Sequence, residues 1–133
     1  MIVGIGTDLC DIRRIERSLD KYHARFANRI FTKVEQEYCE PKSSKASYYA
    51  KRFAAKEAVA KAIAGPMTGH LKWKDVEVVN DSSGRPRIAL HNGAKERLDS
   101  LIPKGHIGHV HISLTDDYPY AQAFAICEAL PEI

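Results

Sequence analysis

The segment from Tyr49 to Ala64 constrains this chain most: it holds seven alanines and no glycine or proline. Alanine has the highest intrinsic helix propensity. Ser43 to Ala64 is therefore predicted to form one long helix, stopped by Gly65-Pro66. At 3.6 residues per turn, Phe53, Ala60 and Ala64 surround Glu57 on the helix surface, with Ala50 on its other side. An unpaired carboxylate in an apolar stripe is costly. A Glu57–Lys61 pair at i, i+4 would contribute ~0.2–0.5 kcal/mol and would account for Lys61, but not for the apolar setting. A metal ion or charged ligand would account for both. Arg52 and Lys56 project from a second face, one turn apart. They are either a solvated basic face or cations for phosphates beside a metal.

The remaining elements follow from period and punctuation. Ile2 to Thr7 reads as a buried strand on which Ile2, Gly4, Gly6 and Asp8 share a face. The two glycines leave room for another backbone or a ligand. Asp8, placed where this strand is expected to end, either belongs to a site or helps to start the next helix. Asp11 is suited to cap that helix, with Ile12, Ile15 and Leu19 at helical spacing. Phe26 to Phe31 continues as helix or turn, and Thr32 with Glu35 forms a capping box for a short helix ending near Pro41. Gly69 to Trp73 reads as a loop. Val76–Val79 and Arg87–Leu90 flank a turn at Asn80–Gly84, and Asn92 starts a helix that ends before Pro103. His109 to Thr115 alternates Val110, Ile112 and Leu114 against His111, Ser113 and Thr115. Asp116-Asp117 is expected to turn the chain into a strand from Tyr120 to Cys127, with Tyr118, Tyr120 and Phe124 in core and hairpin packing. The fold class is α+β, several helices with antiparallel hairpins, in one domain spanning 1–133.

Composition narrows the function. No stretch approaches the ~20 apolar residues of a membrane span. The apolar start is short and lacks a basic leader, which points to a cytoplasmic protein. Cys10, Cys39 and Cys127 form no CxxC pair, so neither a disulfide framework nor a zinc site is indicated. His106, His109 and His111 likewise lack a third ligand at zinc spacing. The net charge of +3 is concentrated between Asp11 and Lys33, where seven cations face three carboxylates. Such a segment attracts an acidic partner. An RNA-binding module would call for a broader basic surface with exposed aromatics. No GxxxxGK[ST] loop supports a P-loop phosphotransferase.

Three segments together resemble holo-acyl-carrier-protein synthase, the small type of 4'-phosphopantetheinyl transferase. They are Gly4-Ile5-Gly6-Thr7-Asp8 with Arg14-Ile15-Glu16, Arg52 to Ala62, and His111 to Asp116 with Tyr120-Ala121. Gly84-Arg85-Pro86 also matches the family's Gly-Lys-Pro turn, with arginine for lysine. The resemblance implies the phosphopantetheinyl transferase fold. It further implies transfer of 4'-phosphopantetheine from coenzyme A to a serine of an apo acyl carrier protein, with Mg²⁺, in fatty acid biosynthesis. Asp8 and Glu57 match the metal-binding carboxylates. Lys61 matches the lysine at the pyrophosphate, and Glu57 and Lys61 are the catalytic candidates. Arg52 matches a residue near the 3'-phosphate. Gly84, Arg85 and Pro86 would lie near the adenosine, and His111 near a ligand. Arg14, Arg17, Lys21 and Arg25 would dock the acidic carrier protein. The family is typically a homotrimer with sites at subunit interfaces, and neither nucleic acid nor a membrane is implied.

Overall fold

The first and last strands lie side by side. The structure, a computed structural model, describes residues 1–63 and 71–133. Its main sheet runs β1–β5–β4, antiparallel throughout, with β1 at Ile2–Asp11, β4 at His106–Asp117 and β5 at Tyr120–Pro131. Ile5 pairs with Ile126 and Asp8 with Ala123. β2 (Val76–Asn80) and β3 (Pro86–Leu90) form a separate two-stranded hairpin. The helices are α1 (Ile12–Tyr22), α2 (Ala24–Ile30), α3 (Lys33–Cys39), α4 (Lys45–Ala62) and α5 (Asn92–Leu101). Among the described residues no helix is long and apolar enough to cross a membrane.

Helix α4 lies directly on the inner face of β1, and the two glycines are the reason. A methyl carbon on Gly4 would stand 1.8 Å from the Ala62 carbonyl oxygen, and one on Gly6 2.0 Å from that of Ala58. The space left by the glycines is thus filled by a backbone. Two strand residues span ~6.6 Å and four helix residues ~6 Å, so β1 and α4 run antiparallel nearly in step. The alanines make this close packing possible from both sides. Ala54, Ala55 and Ala58 of α4, and Ala123 and Ala125 of β5, are fully buried.

Local capping follows the sequence. The Asp11 carboxylate accepts from the Arg13 backbone N–H, and the Thr32–Glu35 capping box is complete. Several boundaries move. β1 continues to Asp11 because β5 pairs with it along its whole length, so Asp8 is inside the strand rather than at its end. β4 keeps Asp116 and Asp117 in its ladder, and Tyr118-Pro119 makes the turn. β5 runs beyond Cys127 to Pro131. The long helix ends at Ala62; the expected stop at Gly65-Pro66, Ala64, and the start of the Gly69–Trp73 loop lie outside the described residues. Tyr118, Tyr120 and Phe124 are not core residues: they are 62%, 46% and 42% exposed. The three cysteines are free and buried.

Candidate active site

The step between β1 and α4 sets Asp8 beside the turn of α4 that carries Glu57. Both carboxylates are partly buried. Burial is the largest cause pushing the Asp8 pKa up, against the Lys61 hydrogen bond and the charges of Lys61 and Arg14. Burial also pushes Glu57 up, and the Asp8 charge adds to it while Lys61 opposes it. Each carboxylate therefore sits in a place that disfavours its charge, and the Asp8 charge adds to the cost at Glu57.

Lys61 does not pair with Glu57 as the i, i+4 reading would have it. Its Nζ donates to the Thr7 carbonyl at 2.9 Å and to Asp8 Oδ1 at 3.3 Å. Lys61 stays more than half exposed, which leaves it free to meet an incoming anion. One lysine thus faces two carboxylates. That oxygen donor set suits a hard divalent cation, because Mg²⁺ takes one or two protein carboxylates and fills its octahedron with water and phosphate oxygens. Among the described residues no group of three or more His, Cys, Asp or Glu side chains is placed to hold a metal. The pair is therefore an open two-carboxylate site rather than a closed cage.

The second face of α4 is not a solvated basic face. Lys56 is fully buried and ion-paired with Glu35 at 2.8 Å. Arg52 is 2% exposed. Its Nη2 donates to Asn80 Oδ1 at 2.7 Å, its Nη1 to the Tyr48 carbonyl at 3.2 Å, and its guanidinium lies over the Tyr38 ring. Its Nε is buried without a hydrogen-bond partner. Asn80 Nδ2 in turn donates to the Gly84 carbonyl at 3.0 Å. Arg52 and the Gly84-Arg85-Pro86 turn thus belong to one connected unit. Gly84 takes a φ of 86°, which glycine adopts without strain. Asp81 Oδ1 accepts from the Ser83 and Arg85 backbone N–H groups, leaving the Arg85 side chain outside and exposed.

Two other groups lie apart. His111 is on the outer face of the sheet, where its Nε2 meets Glu128 Oε1 at 3.0 Å, while Asp8 faces inward. Asp116 pairs with Lys51 at 3.0 Å. On α1 and α2, Arg14, Arg17, Lys21 and Arg25 are all exposed. They border shallow depressions that also include Tyr22, Phe26 and Arg29. Sequence reasoning missed Asn80, Asp81 and Glu35 as site-building residues. It saw the first two as turn formers and the third as a cap, which they also are.

A helix clamped onto a glycine-bearing strand, with Glu57 beside Asp8 and, a few residues earlier, Arg52 tied through Asn80 to a basic turn, fits a phosphate-handling transferase. The chain belongs to the 4'-phosphopantetheinyl transferase superfamily, whose family model matches residues 4–123. It is 55% identical to the holo-[acyl-carrier-protein] synthase of Methylobacterium radiotolerans over 98% of this chain and 96% of that one. The holo-[acyl-carrier-protein] synthase structure from Neisseria meningitidis superimposes with a TM-score of 0.83, at 33% identity over 96% of this chain and 99% of that chain. The Bacillus anthracis enzyme, solved in complex with CoA (3',5'-ADP), gives a TM-score of 0.77 at 32% identity over 98% and 99% of the two chains.

Proposed function

We propose that the protein is a cytoplasmic, Mg²⁺-dependent holo-acyl-carrier-protein synthase that transfers 4'-phosphopantetheine from coenzyme A to an apo acyl carrier protein for fatty acid biosynthesis. The observation that carries this reading is the Asp8–Glu57 pair, two partly buried carboxylates with raised pKa values facing one exposed lysine. Asp8 and Glu57 would hold Mg²⁺, which when bound supplies charge neutralisation for the pyrophosphate oxygens. Lys61 sits where it can bind a pyrophosphate oxygen and stabilise the charge that grows as the bond breaks. The carrier-protein serine oxygen attacks the β-phosphorus, the bond to the bridging oxygen breaks, and adenosine 3',5'-bisphosphate leaves. Glu57 is a candidate for the base that takes the serine proton.

Arg52 with the Gly84-Arg85-Pro86 turn would hold the 3'-phosphate and adenosine. Arg14, Arg17, Lys21 and Arg25 would receive the acidic carrier protein, an attraction screened over ~8 Å at physiological ionic strength. The homotrimer belongs to the same proposal. Ile5, Leu9 and Ile107 are 60%, 62% and 48% exposed on the outer sheet face, and exposed apolar patches mark interaction sites. His111, on that face, would reach a ligand of the Asp8 type only across a subunit boundary.

The test is to incubate the protein with coenzyme A, Mg²⁺ and an apo carrier protein and weigh the carrier. A mass increase of one phosphopantetheine is expected, abolished by Asp8→Ala or Glu57→Ala with the fold retained. An unchanged carrier mass would defeat the reading, and full Mg²⁺-dependent turnover in either variant would defeat the metal assignment.

A further inference from the structure

Among the described residues the β2–β3 hairpin shares no ladder with the main sheet, so no strand pairing fixes its position along α4. Two polar connections to α4 do, beside the Thr32 Oγ1–Glu77 hydrogen bond to the start of α3. Near the start of the hairpin, Lys56 Nζ donates to Glu35 Oε1 at 2.8 Å, to the Trp73 carbonyl at 3.0 Å and to the Val76 carbonyl at 2.6 Å. Glu35 accepts from the Thr32 N–H at Oε1 and from the Val78 N–H at Oε2, each at 2.8 Å. Near its tip, Arg52 reaches Asn80, which reaches the Gly84 carbonyl. Glu35 and Lys56 are both 0% exposed, and every Lys56 proton has an acceptor. A buried ion pair is a poor source of stability, since well-packed apolar residues of similar volume often serve as well or better. What apolar packing does not supply is register: it allows sliding, whereas Glu35 and Lys56 bind three successive backbone stations at Trp73, Val76 and Val78.

We propose that Glu35 and Lys56 are positioning residues that fix the β2–β3 hairpin, and so the Gly84-Arg85-Pro86 turn, at a set offset from the Asp8–Glu57 carboxylates. The inference rests on the function proposed above. Lys56 is the covalent neighbour of Glu57, so a shift of the hairpin against Lys56 is a shift against the carboxylate pair. The turn and the pair would grip opposite ends of one extended donor, and a geometric error between them falls on donor binding.

The test is the double variant Glu35→Gln/Lys56→Met, near-isosteric and without buried charge, assayed as the full-length protein. Its expected signature is a KM for coenzyme A and a Kd for adenosine 3',5'-bisphosphate each raised about tenfold or more, with kcat at saturating donor lowered much less. Amide exchange in the Val76–Leu90 hairpin should accelerate. Asn80→Ala breaks the second connection without touching the buried pair and should raise the same constants by a smaller factor. If the double variant does not fold, Glu35→Gln alone, which keeps the volume but weakens the hold on Lys56 and Val78, decides the matter by the same constants. Unchanged KM and Kd in a folded double variant, or in Glu35→Gln where the double variant does not fold, would overturn the positioning role. Failure of the unmodified protein to bind adenosine 3',5'-bisphosphate would instead overturn the proposed function.

Discussion

On β1 and β5 the two faces of the main sheet reverse the usual size order, while the inner face of β4 keeps Val110, Ile112 and Leu114 against the core. The inner face carries Gly4 and Gly6 on β1 and Ala121, Ala123, Ala125 and Ala129 on β5, with those alanines at most 1% exposed. The outer face carries Ile5, Leu9, Phe124 and Leu130, each 39% exposed or more. In an isolated domain the large apolar residues would be expected inside. The inner residues of β1 and β5 are small because α4 must approach until its carbonyl oxygens nearly touch the strand. That approach sets Glu57 beside Asp8. Among the described residues nothing covers the large outer residues. One face is built for contact within the chain, and the other exposes apolar residues that the proposed assembly would cover.

The most damaging change should be Gly6→Val. The added Cβ would start 2.0 Å from the Ala58 carbonyl oxygen, a backbone atom, so α4 must lift off β1. A loss of more than about 3 kcal/mol is expected from overpacking of this kind, read from the urea midpoint. Ile5→Ala, next in sequence but on the outer face, should cost a dissociated chain less than about 0.5 kcal/mol. Equal losses at the two positions would erase the contrast between the faces.

A smaller effect on the fold, but a large one on assembly, is expected for Leu9→Lys/Phe124→Lys. If the proposed trimer covers this apolar face, a lysine there should cost about 2 kcal/mol or more per site. Light scattering should then report the 14.9 kDa single chain in place of a trimer, with far-UV dichroism unchanged. An unchanged multimeric mass would show that association uses some other surface.

This contrast was half legible in the sequence. The glycine alternation on β1 and the alanine run in α4 are local patterns, and they announced a close approach by something. That the something was α4 itself is a long-range fact, fixed only when residues about fifty positions apart meet. Glu57 stood out because a charge amid alanines violates helical patterning. Lys56 did not, since its partners Glu35, Trp73 and Val76 come from three separate segments and no periodicity connects them. Lys61 misled for the opposite reason. The i, i+4 rule treats a helix as isolated, and here Asp8 and the Thr7 carbonyl compete for the same ammonium and win. The exposed Phe124 and Tyr120 were misread as core because alternation identifies a strand face but not what covers it.

The smallest effect should come where the inner face stops being apolar. Glu57 has a folded-state pKa above its ordinary value of 4.5, through burial and the nearby Asp8 charge. The folded chain therefore binds this proton more tightly than the unfolded one. Below the unfolded value both states are protonated and the site has its full relative stability; that stability is lost as pH rises through the folded value. Glu57→Gln has no such dependence. At neutral pH it should be the more stable protein, by under about 1 kcal/mol once solvent screening of a half-exposed group is allowed for, and near pH 4 the difference should shrink. Mg²⁺ at neutral pH should raise the Tm of the unmodified protein and leave that of Glu57→Gln nearly unmoved. A variant less stable at neutral pH than at pH 4, relative to the unmodified chain, would mean that Glu57 is held by a favourable partner. The carboxylate pair would then lose the electrostatic cost that makes it a cation site.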